Sequence, residues 1–158
     1  MKTLLLMRHG DAPHAIKDSE RMLSDYGKQQ CSSMARHISK ENIKKVITSD
    51  YQRAIDSAAL IGSQIAPSIL NETTDLLRPS ADFYLGFKFL LNQLDELEDQ
   101  SELLVVCHLP IIAYLASLSI DGDVNDNYAF PAASLMCLQT EIPSHGGFDL
   151  LWHKHASY

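Results

Sequence analysis

Lys2-Thr3-Leu4-Leu5-Leu6-Met7 runs without a polar break at every second position and stops at Arg8-His9-Gly10-Asp11. A strand with one face in water alternates apolar and polar residues. A run that does not alternate marks a strand buried on both faces, as in a parallel sheet covered by helices. Glu102-Leu103-Leu104-Val105-Val106-Cys107 repeats the pattern and stops at His108-Leu109-Pro110. Ile43–Thr48 reads as another strand, ending at Ser49-Asp50, and Ser68–Glu72 as a weaker one. Ser134–Thr140 and Phe148–His153 read as late strands, parted by a turn region with Pro143, Gly146 and Gly147.

Helical periodicity fills the gaps. In Ser24–Ser39 the positions Cys31, Met34, Ala35 and Ile38 fall on one face, with Ser24 as N-cap and Asp25 in the first turn. Tyr51–Ala66 carries Ala54, Ala58, Ile61 and Ile65 in the same way, and Asp82–Glu98 carries Phe83, Phe87, Leu90, Leu94 and Leu97. Pro110 suits the first turn of a helix over Ile111–Leu118. Strands alternating with helices predict an α/β fold, a three-layer α/β/α sandwich around a mostly parallel mixed sheet.

The chain has 158 residues, 46% hydrophobic and 21% charged, so residues 1–158 are expected to form a single domain with a sizeable core. The net charge is −7 and the pI about 5.4, which argues against nucleic-acid binding, because such binding needs a basic face. Three distant cysteines, Cys31, Cys107 and Cys137, form no disulfide framework and fit a reducing compartment. The first apolar run is too short for a signal peptide, and Ile111–Ile120 is too short to span a membrane. The expectation is a soluble, cytoplasmic protein with no membrane partner. Oligomeric state is not legible.

In a parallel sheet, ligands bind beyond the carboxyl ends of the strands. Arg8 and His9, then Ser49 and Arg53 a turn later, then His108, all follow such ends. Two arginine forks match phosphate oxygens in pairs. A neutral histidine among them is a competent nucleophile, and nearby arginines keep it neutral by charge repulsion. Gly10 would allow a close backbone approach.

Leu5-Leu6-Met7-Arg8-His9-Gly10-Asp11-Ala12 resembles the opening of the histidine phosphatase superfamily, which has the phosphoglycerate mutase-like fold. Ser49-Asp50-Tyr51-Gln52-Arg53-Ala54-Ile55-Asp56-Ser57-Ala58 resembles its S-x-x-x-R-A-x-x-[TS]-A block, and Val105-Val106-Cys107-His108-Leu109-Pro110 its second-histidine block. The R-H-G-D-A opening, the H-L-P form, the short chain and Arg21-Met22-Leu23-Ser24 with Gly27 resemble the SixA-type protein phosphohistidine phosphatases. The resemblance implies that His9 is phosphorylated and that Arg8 and Arg53 bind the phosphoryl oxygens. It implies that His108 hydrogen-bonds the phosphoryl group, and that neither a metal nor an organic cofactor takes part. The implied activity is a metal-independent phosphatase acting on phosphohistidine of a signalling or phosphocarrier protein, such as a phosphotransfer domain.

Departures narrow this. Asp11 is followed by Ala12-Pro13-His14-Ala15, without the asparagine of mutase relatives. Relatives acting on phosphate esters carry an acid that protonates the leaving oxygen. Here Asp75 and Asp82 are the candidates for it, and Asp82 reads equally as a helix cap. A phosphohistidine substrate has an imidazole leaving group and needs less proton assistance. The alternatives are a small-molecule phosphomonoesterase of the same superfamily and a non-catalytic phosphate-binding module. His9-x-Asp11-x-x-His14, with His153 and His155, fits no strong metal signature. Cys107 lacks the arginine six residues on that a cysteine phosphatase needs, since Ala113 stands there, and reads as a core residue.

Overall fold

A computed structural model describes residues 1–65, 68–69 and 71–156. Among them, six strands form one sheet: β1 (Lys2–Arg8), β2 (Ile43–Ser49), β3 (Asn71–Thr74), β4 (Glu102–Cys107), β5 (Leu135–Thr140) and β6 (Asp149–Lys154). Four helices cover it: α1 (Asp25–Met34), α2 (Gln52–Ile65), α3 (Phe83–Asp95) and α4 (Ile111–Ile120). The strand order is β3-β2-β4-β1-β5-β6. The four strands from β3 to β1 run parallel, while β5 and β6 are antiparallel additions at one side. The sheet is thus mixed and mostly parallel, as the unbroken apolar runs predict.

The pleat sorts the core into two. Leu4 and Leu6 of β1, with Leu103 and Val105 of β4, pack with Phe87 and Leu90 of α3 and Ile112 and Leu115 of α4. Leu5 and Met7, with Leu104 and Val106, pack with Cys31 and Met34 of α1 and Ala54, Ala58 and Ile61 of α2. Consecutive residues of β1 and β4 therefore enter opposite cores, which is why neither strand could alternate. These two faces make the three layers.

The boundaries differ at the ends. The first helix stops at Met34 and tightens into a 3-10 turn over Ala35–His37, closed by Ile38 N–H on the Ala35 carbonyl. The third helix ends at Asp95 rather than Glu98. The expected helix end at Ala66 and the Leu70 part of the expected third strand lie outside the described residues. The strand begins only at Asn71. Ala133, in the left-handed region at φ 60°, turns the chain ahead of β5, so that strand starts at Leu135. A short 3-10 turn over Asp18–Glu20 was not legible in the sequence, and it turns out to matter. Among the described residues no helix is long and apolar enough to cross a membrane.

Candidate functional site

Parallel pairing brings three strand tips to one edge. Arg8 lies opposite Cys107 and Thr48 opposite Val106, so His9, Ser49 and His108 leave the sheet side by side. Arg53 comes from the first turn of α2, directly after β2. The structure therefore brings all four predicted residues together. The His9 and His108 rings lie 5.0 Å apart, and Arg53 Nε–H donates to His9 Nε2 at 3.2 Å. His9, Arg53 and His108 are buried, and Arg8 is half-buried.

His9 is held on every side. Its backbone N–H donates to the Cys107 carbonyl, and its own carbonyl accepts from Ala133 N–H. The left-handed Ala133 thus serves a purpose, since it aims that N–H at the His9 backbone. Ring Nδ1 lies 2.7 Å from the Gly10 carbonyl oxygen. A carbonyl only accepts, so Nδ1 carries the proton and Nε2 keeps its lone pair toward Arg53. Gly10 is fixed in turn, its N–H donating to Ser57 Oγ at 3.0 Å while Ser57 donates to the Arg53 carbonyl.

The closeness that Gly10 permits is to helix α1. A Cβ on Gly10 would lie 2.6 Å from the Gly27 carbonyl oxygen and 2.8 Å from Cys31 Sγ. Asp11 is stitched to the same helix. Its N–H donates to Gln30 Oε1, and its carboxylate and carbonyl accept from Ser24 Oγ and Ser24 N–H. Ser24 also accepts from Gly27 N–H as the N-cap of α1. This explains why a serine and a glycine three residues apart follow Arg21: they bolt α1 to the loop that follows His9.

One further residue at the site escaped the sequence reading. Asp18, in the 3-10 turn, accepts from Arg53 Nη1 at its carbonyl (2.7 Å) and from Arg53 Nη2 at its carboxylate (3.2 Å). Its other carboxylate oxygen accepts from Arg21 Nη1 at 3.1 Å. Asp18 therefore grips the far edge of the Arg53 guanidinium and leaves Nε–H turned to His9. Partial burial pushes the Asp18 carboxyl up, but the bonds to Arg21 and Arg53 outweigh it and hold the group below the usual carboxylate range. It is ionised near neutral pH and orients arginines rather than giving protons. Arg8 donates from Nη1 to the Phe130 carbonyl at 2.8 Å, and its Nε is buried without a protein partner. A spare guanidinium donor suits an oxyanion.

Burial is the main cause of the histidine shifts, with charge repulsion second. The arginines do lower both, as expected, and burial adds the larger part. Burial, then Arg53, Arg8 and Arg21, push His9 down to about 4, against the Gly10 bond that pulls it up. Burial, then His9 and the three arginines, push His108 down to about 2. Both imidazoles are neutral when folded but protonate near pH 6.5 when unfolded. The unfolded chain thus binds more protons below pH 6.5, so stability rises with pH from about 2 to 6.5, most steeply between about 4 and 6.5 where both rings contribute. Thermal unfolding followed from pH 7 to pH 5 should show Tm falling toward acid, and His108→Gln should flatten the fall. A Tm that rises toward pH 5 contradicts the neutral-histidine site.

Neither candidate acid touches the four residues. Asp82 Oδ1 accepts from the N–H groups of Tyr84 and Leu85, so it caps α3. Asp75 is exposed at the start of a 3-10 turn. Among the described residues Asp18 is the carboxylate that hydrogen-bonds any of the four. Cys107 is fully buried, and burial pushes its thiol up to about 12, so it holds no thiolate. No group of three or more His, Cys, Asp or Glu with metal-holding geometry occurs among the described residues.

A family model for the histidine phosphatase superfamily (branch 1) matches residues 4–78. Phosphohistidine phosphatase SixA of Escherichia coli K12 is 28% identical over 138 residues, which is 85% of this chain and 84% of that one. The solved structure of the protein histidine phosphatase SixA complexed with tungstate superposes with a TM-score of 0.84 at 24% identity, covering 98% of this chain and 97% of that one. A proposed SixA from Nakamurella multipartitia superposes with a TM-score of 0.75 at 22% identity, covering 99% and 97%.

Proposed function

We propose that this chain, whose residues 4–78 match the histidine phosphatase superfamily (branch 1), is a member of that family and hydrolyses phosphohistidine on a partner protein through a phospho-His9 intermediate. The observation that carries this reading is the fixed tautomer of His9: Nδ1–H on the Gly10 carbonyl and a lone pair on Nε2 under the Arg53 guanidinium. The one bond on Nε2 comes from a cation, so a phosphoryl group that draws Arg53 onto its oxygens would free that lone pair to attack.

In the proposed reaction, His9 Nε2 attacks the phosphorus. The bond from phosphorus to the donor's imidazole nitrogen breaks, and its electron pair stays on that nitrogen, while the donor ring takes a proton from solvent and leaves as neutral imidazole. Arg8 and Arg53 hold the equatorial oxygens, and His108 adds a hydrogen bond as charge moves onto them. Throughout, the Gly10 carbonyl steadies the Nδ1–H of His9 as the ring becomes cationic. Water then attacks phosphorus in line, the N–P bond to His9 breaks, and phosphate leaves.

Among the described residues the carboxylate bonded to the site, Asp18, is engaged by Arg53 and Arg21 and held below the usual range, which favours an imidazole leaving group over an alkoxide, because an imidazole departs without a strong acid. The name of the Escherichia coli relative supports the same substrate class. An exposed phosphohistidine, as on a phosphotransfer domain or phosphocarrier, is the proposed partner feature. Neither metal nor organic cofactor has a role in this scheme.

The test is phosphoryl trapping with chelator present. A phosphohistidine-bearing donor protein should place an acid-labile, alkali-stable phosphoryl group on this chain and then release phosphate. Fast turnover of small phosphate esters with none of the phosphoprotein would replace the reading with a phosphomonoesterase. Tight binding with neither label nor release would replace it with a phosphate-binding module.

A further inference from the structure

The two histidines at the site are set in opposite senses, and a serine sets the second. Ser49 Oγ lies 2.6 Å from His108 Nε2, and Tyr51 N–H donates to the same oxygen at 3.0 Å. Ser49 is 0% and His108 1% exposed, so water does not mediate or compete. The other ring nitrogen, Nδ1, is buried without a protein partner.

A hydroxyl has one proton and two lone pairs. Tyr51 N–H takes one lone pair of Ser49 Oγ. Suppose His108 carried its proton on Nε2 and donated it to the other. The serine proton would then have no acceptor, and Nδ1 would be an unmet acceptor as well: two buried groups unsatisfied. If instead Ser49 donates to Nε2, a single unmet group remains, and it is a donor, Nδ1–H. Burial penalises an unmet polar group, so the second arrangement prevails.

We propose that Ser49 is a positioning residue, whose hydroxyl donates to His108 Nε2, fixes the ring as its Nδ1–H tautomer and so presents Nδ1–H to a phosphoryl oxygen. The last clause rests on the function proposed above. The Nδ1–H of His9 is used up on the Gly10 carbonyl, leaving a nucleophilic nitrogen, while that of His108 is left free to donate. The same tautomer thus yields an attacking group in one ring and an oxyanion donor in the other. Ser49 would act on rate rather than on encounter, since a hydrogen bond to a phosphoryl oxygen strengthens as charge develops there.

The experiment is long-range 1H–15N correlation of the histidine rings in uniformly 15N-labelled protein at pH 7, with His108 assigned by its loss in His108→Gln. Wild type should show Nδ1 protonated and Nε2 bare. Ser49→Ala should shift the ring toward the Nε2–H form, and Ser49→Thr, which keeps the hydroxyl, should restore the wild-type pattern. On a phosphohistidine donor, Ser49→Ala should lower kcat roughly tenfold to a hundredfold with KM nearly unchanged, and Ser49→Thr should recover most of it. An Nε2–H signal in wild type overturns the proposal, and so does a Ser49→Ala variant with the wild-type kcat. If wild type turns over no phosphohistidine donor, the function proposed above fails. The ring spectra, repeated with orthophosphate, then decide alone: a shift at His108 Nδ1–H sustains the assignment, and its absence overturns it.

Discussion

His9→Ala is expected to abolish phosphate release from a phosphohistidine donor, by about 10⁴-fold or more, and to accept no covalent label. The reason is specific. In the proposed scheme His9 supplies the atom that bonds to phosphorus, whereas the remaining groups only stabilise charge. Arg8, Arg53 and Arg21 stay in place without it, because Asp18 and the Phe130 carbonyl hold their guanidinium groups from behind. Orthophosphate should therefore still bind the variant, within a few-fold of wild type. The pairing of lost turnover with retained binding separates a missing nucleophile from a collapsed site. Turnover within tenfold of wild type would mean that phosphorus is attacked by something else.

Gly27→Ala should cost the fold about 3 kcal/mol or more, although alanine is the better helix former by about 1 kcal/mol. Gly27 sits in the first turn of α1. A Cβ there would lie 2.1 Å from the Asp11 carbonyl oxygen and 2.9 Å from its nitrogen. These are backbone atoms, and Asp11 is bound to Ser24 and Gln30, so they cannot swing aside. The relief would be a shift of the Gly10–Asp11 loop, which would carry the Gly10 carbonyl away from His9 Nδ1. Differential scanning calorimetry should show Tm lowered by roughly 6–12 °C, taking about 2–4 °C per kcal/mol for a chain of this size. The control is Gly62→Ala in α2, where a Cβ would meet nothing within 4 Å and the helix propensity acts alone. That variant should be slightly more stable than wild type. If Gly27→Ala matches it, the packing account of the loop is wrong.

The sheet was legible because burial on both faces leaves a signature that needs no partner strand to read. Lys2–Met7 and Glu102–Cys107 carry it, and their identical apolar runs turned out to be neighbours. His9, Arg53 and His108 were legible for the related reason that parallel strands end at one edge. Asp18 was not. It lies in a polar stretch between Lys17 and Ser19, where nothing in the local pattern distinguishes an arginine's counter-ion from a surface charge. Its importance comes from Arg53, 35 residues away, and only the folded chain brings the two together. Ser49 and Ser57 stood inside recognised blocks. Their tasks, one on an imidazole and one on a glycine N–H, depend on hydrogen-bond directions that a sequence does not record. Ala133 was invisible for a different reason, because alanine gives no hint of a left-handed turn.

The position of β1 has a consequence for how the chain is made. It is made before the other five strands of the sheet, yet its neighbours in the finished sheet are β4 and β5. Met7 waits for Val106 and Leu135. At about 5–20 residues per second, roughly a hundred residues separate the two events, so β1 stays unpaired for about 5–20 s. During that interval it presents two bare edges and two greasy faces, the features that invite pairing with other chains. A stalled or truncated product that ends before β4 would keep that hazard permanently. Folding is therefore expected to be dominated by late, long-range closure, and holding factors that bind extended apolar segments should meet this chain at its first strand.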